Sequence, residues 1–266
     1  MKIRAGYDIG YDCLGPTPML LVLSIRPERL PDLLTPQIMA VTPDVPVSVY
    51  HDQFGNTCHR LLAPGGPIRF SADFTISDSG EPDVVVLDAE QHGIEHLPDD
   101  TLLFLLASRY CETDVLMDVA WQEFGRVQGG WRRVQAIVDY VNDRIQFGYH
   151  HARLDRTANS AHVDRLGVCR DYAHLAIALC RCMNIPARYC TGYLGDIGVP
   201  LVPPMDFSAW MEVFIGGRWY IFDPRNNRPR IGRILQGYGR DATDVAISTS
   251  FGAALLTKFE VVADEV

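Results

Sequence analysis

A chain of 266 residues, 47% hydrophobic and 21% charged, carries enough apolar side chain for one large or two modest cores, so neither disulfides nor a metal is needed to hold it folded. Its formal net charge of -9, with Lys and Arg scattered through the chain, offers no basic footprint for a nucleic acid backbone. The N-terminus MKIRAGYDIGYD lacks the apolar run of a signal peptide, no stretch approaches the roughly 20 apolar residues of a membrane helix, and seven irregularly spaced cysteines fit reduced thiols; these features predict a cytoplasmic protein with neither nucleic acid nor membrane as partner.

The first part of the chain reads as short strands: Ile3 to Tyr11, Met19 to Ile25, Val45 to Tyr50, Cys58 to Leu62 and Ile68 to Ile76. Turn clusters at Asp52-Gln53-Phe54-Gly55-Asn56 and Pro64-Gly65-Gly66-Pro67 separate them, as hairpins require. Helical periods follow, through Leu102 to Tyr110, Val115 to Phe124 and Trp131 to Ile145. In the last of these, Val134, Ile137, Val138, Val141 and Ile145 recur on one face. The expected fold class is therefore α+β, with a β-rich N-terminal domain over residues 1–90 and a core over 91–266; the boundary falls between Ser77 and Leu97.

The segment GVCRDYAHLAIALCRCMNIPARYC is a long apolar run closed by Asn184 and Pro186, and proline cannot continue a helix. With the helix starting near Cys169, its polar side chains Arg170, Asp171, His174 and Arg181 fall on one narrow stripe, so the helix must be nearly surrounded by other structure. Cys169 follows Gly167-Val168 and opens the helix, where unsatisfied N–H groups and the positive end of the dipole favour a thiolate. Cys180 and Cys182 lie about 200° apart on the helix, cannot share a metal ion, and read as core thiols.

Strand-like segments come next at Tyr189 to Tyr193, Phe207 to Ile215 and Arg218 to Asp223. Gly216-Gly217 is a two-residue hairpin signal that pairs Ile215 with Arg218, Trp210 with Asp223 and Ser208 with Arg225. Ser208, Trp210 and Asp223 then share one face, with Ser208 and Asp223 on a diagonal. Phe207, Ala209, Met211, Val213 and Ile215 form an apolar opposite face, which leaves the polar-bearing face to meet the Cys169 helix.

The segments GVCRDYAHLAIALCRCMNIPARYCTGYLGD and DFSAWMEVFIGGRWYIFDPRNNRPRIGR resemble the core of bacterial transglutaminase-like, papain-related proteins. The likeness covers residues 130 to 260, and the β-rich N-terminal part is similar to the domain that precedes this core in the family. The resemblance implies a cysteine helix against an antiparallel sheet and acyl transfer through a thioester on a peptide or protein amide. Cys169 matches the nucleophile and Asp223 the orienting aspartate, while Ser208 stands where the family has histidine. Water as acceptor gives a peptidase or amidase; an amine gives a cross-linking transferase. No cofactor or metal is implied, and no phosphate-binding loop, dinucleotide fingerprint or zinc spacing appears.

A serine hydroxyl cannot act as a general base for a thiol, so the enzyme is impaired, another histidine serves, or the fold is used for binding. His174 is five residues from Cys169, about 140° around and 7.5 Å along a helix, and reads as structural. His150, His151 and His162 lie upstream in loop, at distances from Cys169 that spacing leaves open. Trp210, Tyr193 and Tyr189 are substrate-cleft candidates, and Asp206 and Glu212 are expected to be solvated or hydrogen-bonded.

Overall fold

The structure, a computed structural model, describes residues 1–266. Six strands come first: β1 (Lys2–Cys13), β2 (Thr17–Leu21), β3 (Ala40–Thr42), β4 (Val47–His51), β5 (Thr57–Ala63) and β6 (Gly66–Ser77). Helices α1 (Asp99–Leu102), α2 (Thr113–Phe124) and α3 (Trp131–Arg144) follow. Next are β7 (Gln146–Phe147), α4 (Ala158–Asp164), β8 (Leu166–Gly167) and α5 (Cys169–Cys182). The chain ends with β9 (Ala187–Leu194), β10 (Ser208–Ile215), β11 (Arg218–Phe222), β12 (Arg233–Gly239), β13 (Ser248–Ser250) and β14 (Ala254–Glu265). The class is α+β.

Period-two patterning makes β6 a strand with one buried face: Ile68, Phe70, Ala72, Phe74 and Ile76 are buried and alternate with exposed or half-exposed residues. Helix α3 obeys the longer period, burying Val134, Ile137, Val138 and Val141. Three antiparallel sheets result, in the orders β14-β1-β6-β3, β13-β2-β5-β4 and β11-β10-β9-β12. The third sheet carries α5, which is buried at every residue from Asp171 to Cys182. Its core mate is β10, where Ala209, Met211, Val213 and Ile215 pack into one cluster with Ala173, Ile177 and Cys180 of the helix.

The β-rich part over residues 1–90 is completed by strands from the other end of the chain. The final strand β14 returns to pair with β1 along its length, Ile3 opposite Glu265 and Cys13 opposite Ala254, and β13 pairs with β2. The core beneath these sheets also takes in Tyr193, Phe207 and Ile234 from the segment that carries the third sheet.

Two local expectations are overturned. The helix expected over Leu102 to Tyr110 stops early, at α1 and one tight turn, Leu103–Leu105. Its backbone is captured by side chains from elsewhere: buried Arg181 donates to the Leu106 carbonyl at 3.0 Å, and Asp241 accepts the Tyr110 N–H at 2.8 Å. The facing of β10 is also the reverse of the expected one. Its apolar face meets α5, while Trp210 and Glu212 turn to the other side. That side is closed too, by Arg233 stacked 4.9 Å over Trp210 and by Arg188 paired with Glu212, so all eight residues of β10 are buried. The polar stripe of α5 is likewise absorbed, and Arg181 alone donates to the carbonyls of Leu106, Ala187 and Arg240.

Candidate active site

Cys169 is the first residue of α5, with extended Val168 before it. Three residues on, the Asp171 carboxylate reaches back to accept the Val168 N–H at 2.9 Å, which fixes the helix start. Of seven free cysteines Cys169 is the one that is not buried. It opens into a cavity of about 300 Å³ shared with Arg170, Tyr189, Asp206, Phe207 and Ser208. Its Sγ lies 4.0 Å from the Phe207 carbonyl oxygen, at the edge where β10 begins.

The register of the hairpin is as its loop demands. Gly216 and Gly217 both adopt positive φ, +56° and +79°, a two-residue turn that glycine enters without strain, and Ile215 pairs with Arg218. Continuing the ladder one step past Met211 and Phe222 sets Asp223 opposite Trp210. Cys169 and Ser208 therefore meet at one cavity, but Asp223 does not line it. Its carboxylate accepts the Arg233 guanidinium at 2.8 Å, the Asn226 backbone N–H at 2.9 Å and the Asn226 amide at 2.8 Å, and it borders a different cavity of about 470 Å³ with Asp83 and Trp131.

Of the three aromatic cleft candidates, Tyr189 lines the Cys169 cavity. Trp210 does not line it; its ring lies further along β10, covered by Arg233 at 4.9 Å. Tyr193 lies beyond the helix start, sealed between Phe74 and Phe207 at ring separations of 5.8 and 5.0 Å. No histidine lines the cavity. His150 and His151 face each other in the turn Tyr149–His151, and His162 is held 3.2 Å from Arg144. His174 is buried in the core, its Nε2 accepting the Ala242 N–H at 3.1 Å.

The thiol is not pre-ionised as the helix start led one to expect. Burial, then the Asp206 charge, pushes Cys169 up to about 11, with Arg225 pulling weakly the other way. Asp206 itself is half-buried, not solvated, and desolvation pushes it up to about 6. Sequence reasoning gave Asp206 and Arg225 no role at this site and did not single out Tyr149, which borders the adjoining cavity.

Cys169, Ser208 and Asp223 lie within residues 122–224, which match the model of the transglutaminase-like superfamily. Over its whole length the chain is similar to the crystal structure of a candidate cysteine protease from Cytophaga hutchinsonii, at 31% identity and a TM-score of 0.86, covering 99% of this chain and 90% of that one. The chain belongs to the transglutaminase-like superfamily. Within curated proteins it is 39% identical over 120 residues to an uncharacterized protein of Mycobacterium leprae; the match spans 44% of this chain and 39% of that protein. A more remote likeness, at 15% identity and a TM-score of 0.42, joins this transglutaminase-like chain to the periplasmic domain of TgpA from Pseudomonas aeruginosa. No helix is long and apolar enough to cross a membrane.

Proposed function

We propose that this protein performs acyl transfer through Cys169: the sulfur attacks the carbonyl of a peptide or protein amide, the amine leaves, and water or a second amine takes the acyl group from the thioester. The observation that carries this reading is the placement of Cys169, the one thiol of seven that is not buried, in a cavity, at the first turn of a buried helix and beside the strand position that carries the family's proton carrier. The likeness to a candidate cysteine protease supports the hydrolytic branch. Seven free thiols support a reducing compartment.

A second reading, a binding protein on an inert scaffold, is favoured by Ser208 and by the engagement of Asp223 with Arg233. The two readings part on one experiment. Incubation with p-nitrophenyl acetate, followed by peptide mass mapping, is expected to show an acetyl group on Cys169 and release of p-nitrophenolate beyond one equivalent, both lost in Cys169→Ala. Equal release by Cys169→Ala would leave only the binding reading.

A further inference from the structure

With serine at position 208, the site has a nucleophile and no histidine to serve it, yet thioester chemistry needs a group that takes and returns a proton. Apart from Cys169, the ionisable groups that line this cavity and the adjoining one are Tyr189 of β9, whose phenol burial raises well above its ordinary range, Tyr149 from the turn before α4, Arg153 and Arg170, Arg225, Arg228 and Arg230, Asp196, and Asp206. The arginines stay protonated at any working pH. Burial raises the Tyr149 phenol above its ordinary range. Asp196, in the adjoining cavity, is paired with Arg230 at 3.3 Å, and Asp223 is held by Arg233 and Asn226.

Asp206 differs from all of these. It is in no ion pair, and it borders both the Cys169 cavity and the adjoining one. It also lines both cavities together with Ser208, the position at which the family resemblance places a histidine.

We propose that Asp206 is the general base of the Cys169 site, carrying the proton that a histidine at position 208 would otherwise carry. This rests on the reading of Cys169 as the nucleophile. In the first half-reaction the Asp206 carboxylate takes the Sγ proton as the S–C bond forms, then gives it to the leaving nitrogen as the C–N bond breaks. In the second half it takes a proton from water as the water oxygen bonds to the acyl carbon, and returns it to Sγ as the S–C bond breaks. Protons balance over the cycle, and no oxidant or metal is required. The group is suited to this work because partial burial brings its titration to about 6, so at pH 7 about nine in ten copies are ionised and ready to accept. The Phe207 backbone N–H and, to a lesser degree, Arg225, which stacks 4.0 Å over Phe147, oppose the effect of burial.

The test compares the unmodified protein with Asp206→Asn, Asp206→Glu and Cys169→Ala, using p-nitrophenyl acetate as probe. Asp206→Asn is expected to keep the one-equivalent burst but lose steady-state turnover by about 10²-fold or more, together with the rise of rate with pH centred near 6; Asp206→Glu is expected to keep that rise. An independent readout is the pH dependence of Cys169 alkylation by iodoacetamide. Removing the Asp206 charge is expected to shift that curve to lower pH, because the charge now holds the thiol protonated. Unchanged turnover and pH profile in Asp206→Asn, an alkylation curve that does not move, or absence of turnover in the unmodified protein would each overturn the proposal. A burst that persists in Cys169→Ala strikes the nucleophile reading instead.

Discussion

The Asp223 carboxylate and the Arg233 guanidinium are 2.8 Å apart and both buried, and the same guanidinium is 3.0 Å from Asp83. The aspartate that the family resemblance assigns to orienting a histidine is thus one end of a carboxylate–arginine–carboxylate chain that closes the outer face of β10. Asp223→Ala is expected to cost about 3 kcal/mol, the low end for breaking a buried pair, because Asp83 still serves the arginine. The midpoint of urea unfolding reads this loss. An unmoved midpoint would mean that the pair contributes nothing net.

Alkylation should be selective and alkaline. Iodoacetamide is expected to modify Cys169 before the six buried cysteines, since it is the one cysteine that is not buried and it lines a cavity. With the thiol pushed up to about 11, the thiolate fraction at pH 7 is about 10⁻⁴ and the rate should rise about tenfold per pH unit up to that value. Peptide mass mapping over a pH series checks both statements.

His174 makes stability fall in acid. Its ring stacks 4.9 Å from Tyr110, and burial holds it down to about 3, against about 6.5 in the unfolded chain. Between those values the unfolded chain binds the proton and the folded one does not, so stability decreases as pH falls from about 6.5 towards the folded value. Asp241 beside it moderates the effect by favouring the charged ring. In His174→Gln this contribution is absent. The stability gap between the two proteins, measured by urea unfolding at pH 7, 6, 5 and 4, should narrow as the pH falls.

Ser208→His should raise turnover of p-nitrophenyl acetate, by about tenfold, short of the 10²–10⁴ typical of a fully oriented acid–base group. The shortfall follows from Asp223, whose oxygens are already taken by Arg233 and Asn226 and are not free to hold an imidazole. A fall in turnover would show that position 208 does not admit the ring.

Much of this was legible in the sequence. Two glycines set the β10–β11 register, and Gly167-Val168 marked the start of α5, because both rest on local backbone rules. The facing of β10 was not legible. One apolar face normally implies one solvated face, but here Trp210 and Glu212 are covered by arginines from distant segments, and pairing of that kind leaves no periodic trace. The truncated helix after α1 failed for the same reason, since Arg181 and Asp241 reach it across 75 and 131 residues of chain. Asp206 read as solvated or hydrogen-bonded, and nothing local announces that it shares a cavity with Cys169.

The pairing of β14 with β1 sets a schedule for synthesis. Strand β1 is synthesised well before β14, and in between it has only β6 on one side. At about 5–20 residues per second, roughly 10–35 s separate the completion of β6 from the emergence of β14. Throughout that interval one edge of a 12-residue strand stands open, and an open edge accepts any strand that fits. The closing dozen residues therefore act as an internal guard against misassembly of nascent chains, and a chain halted before Ala254 would expose this hazard indefinitely.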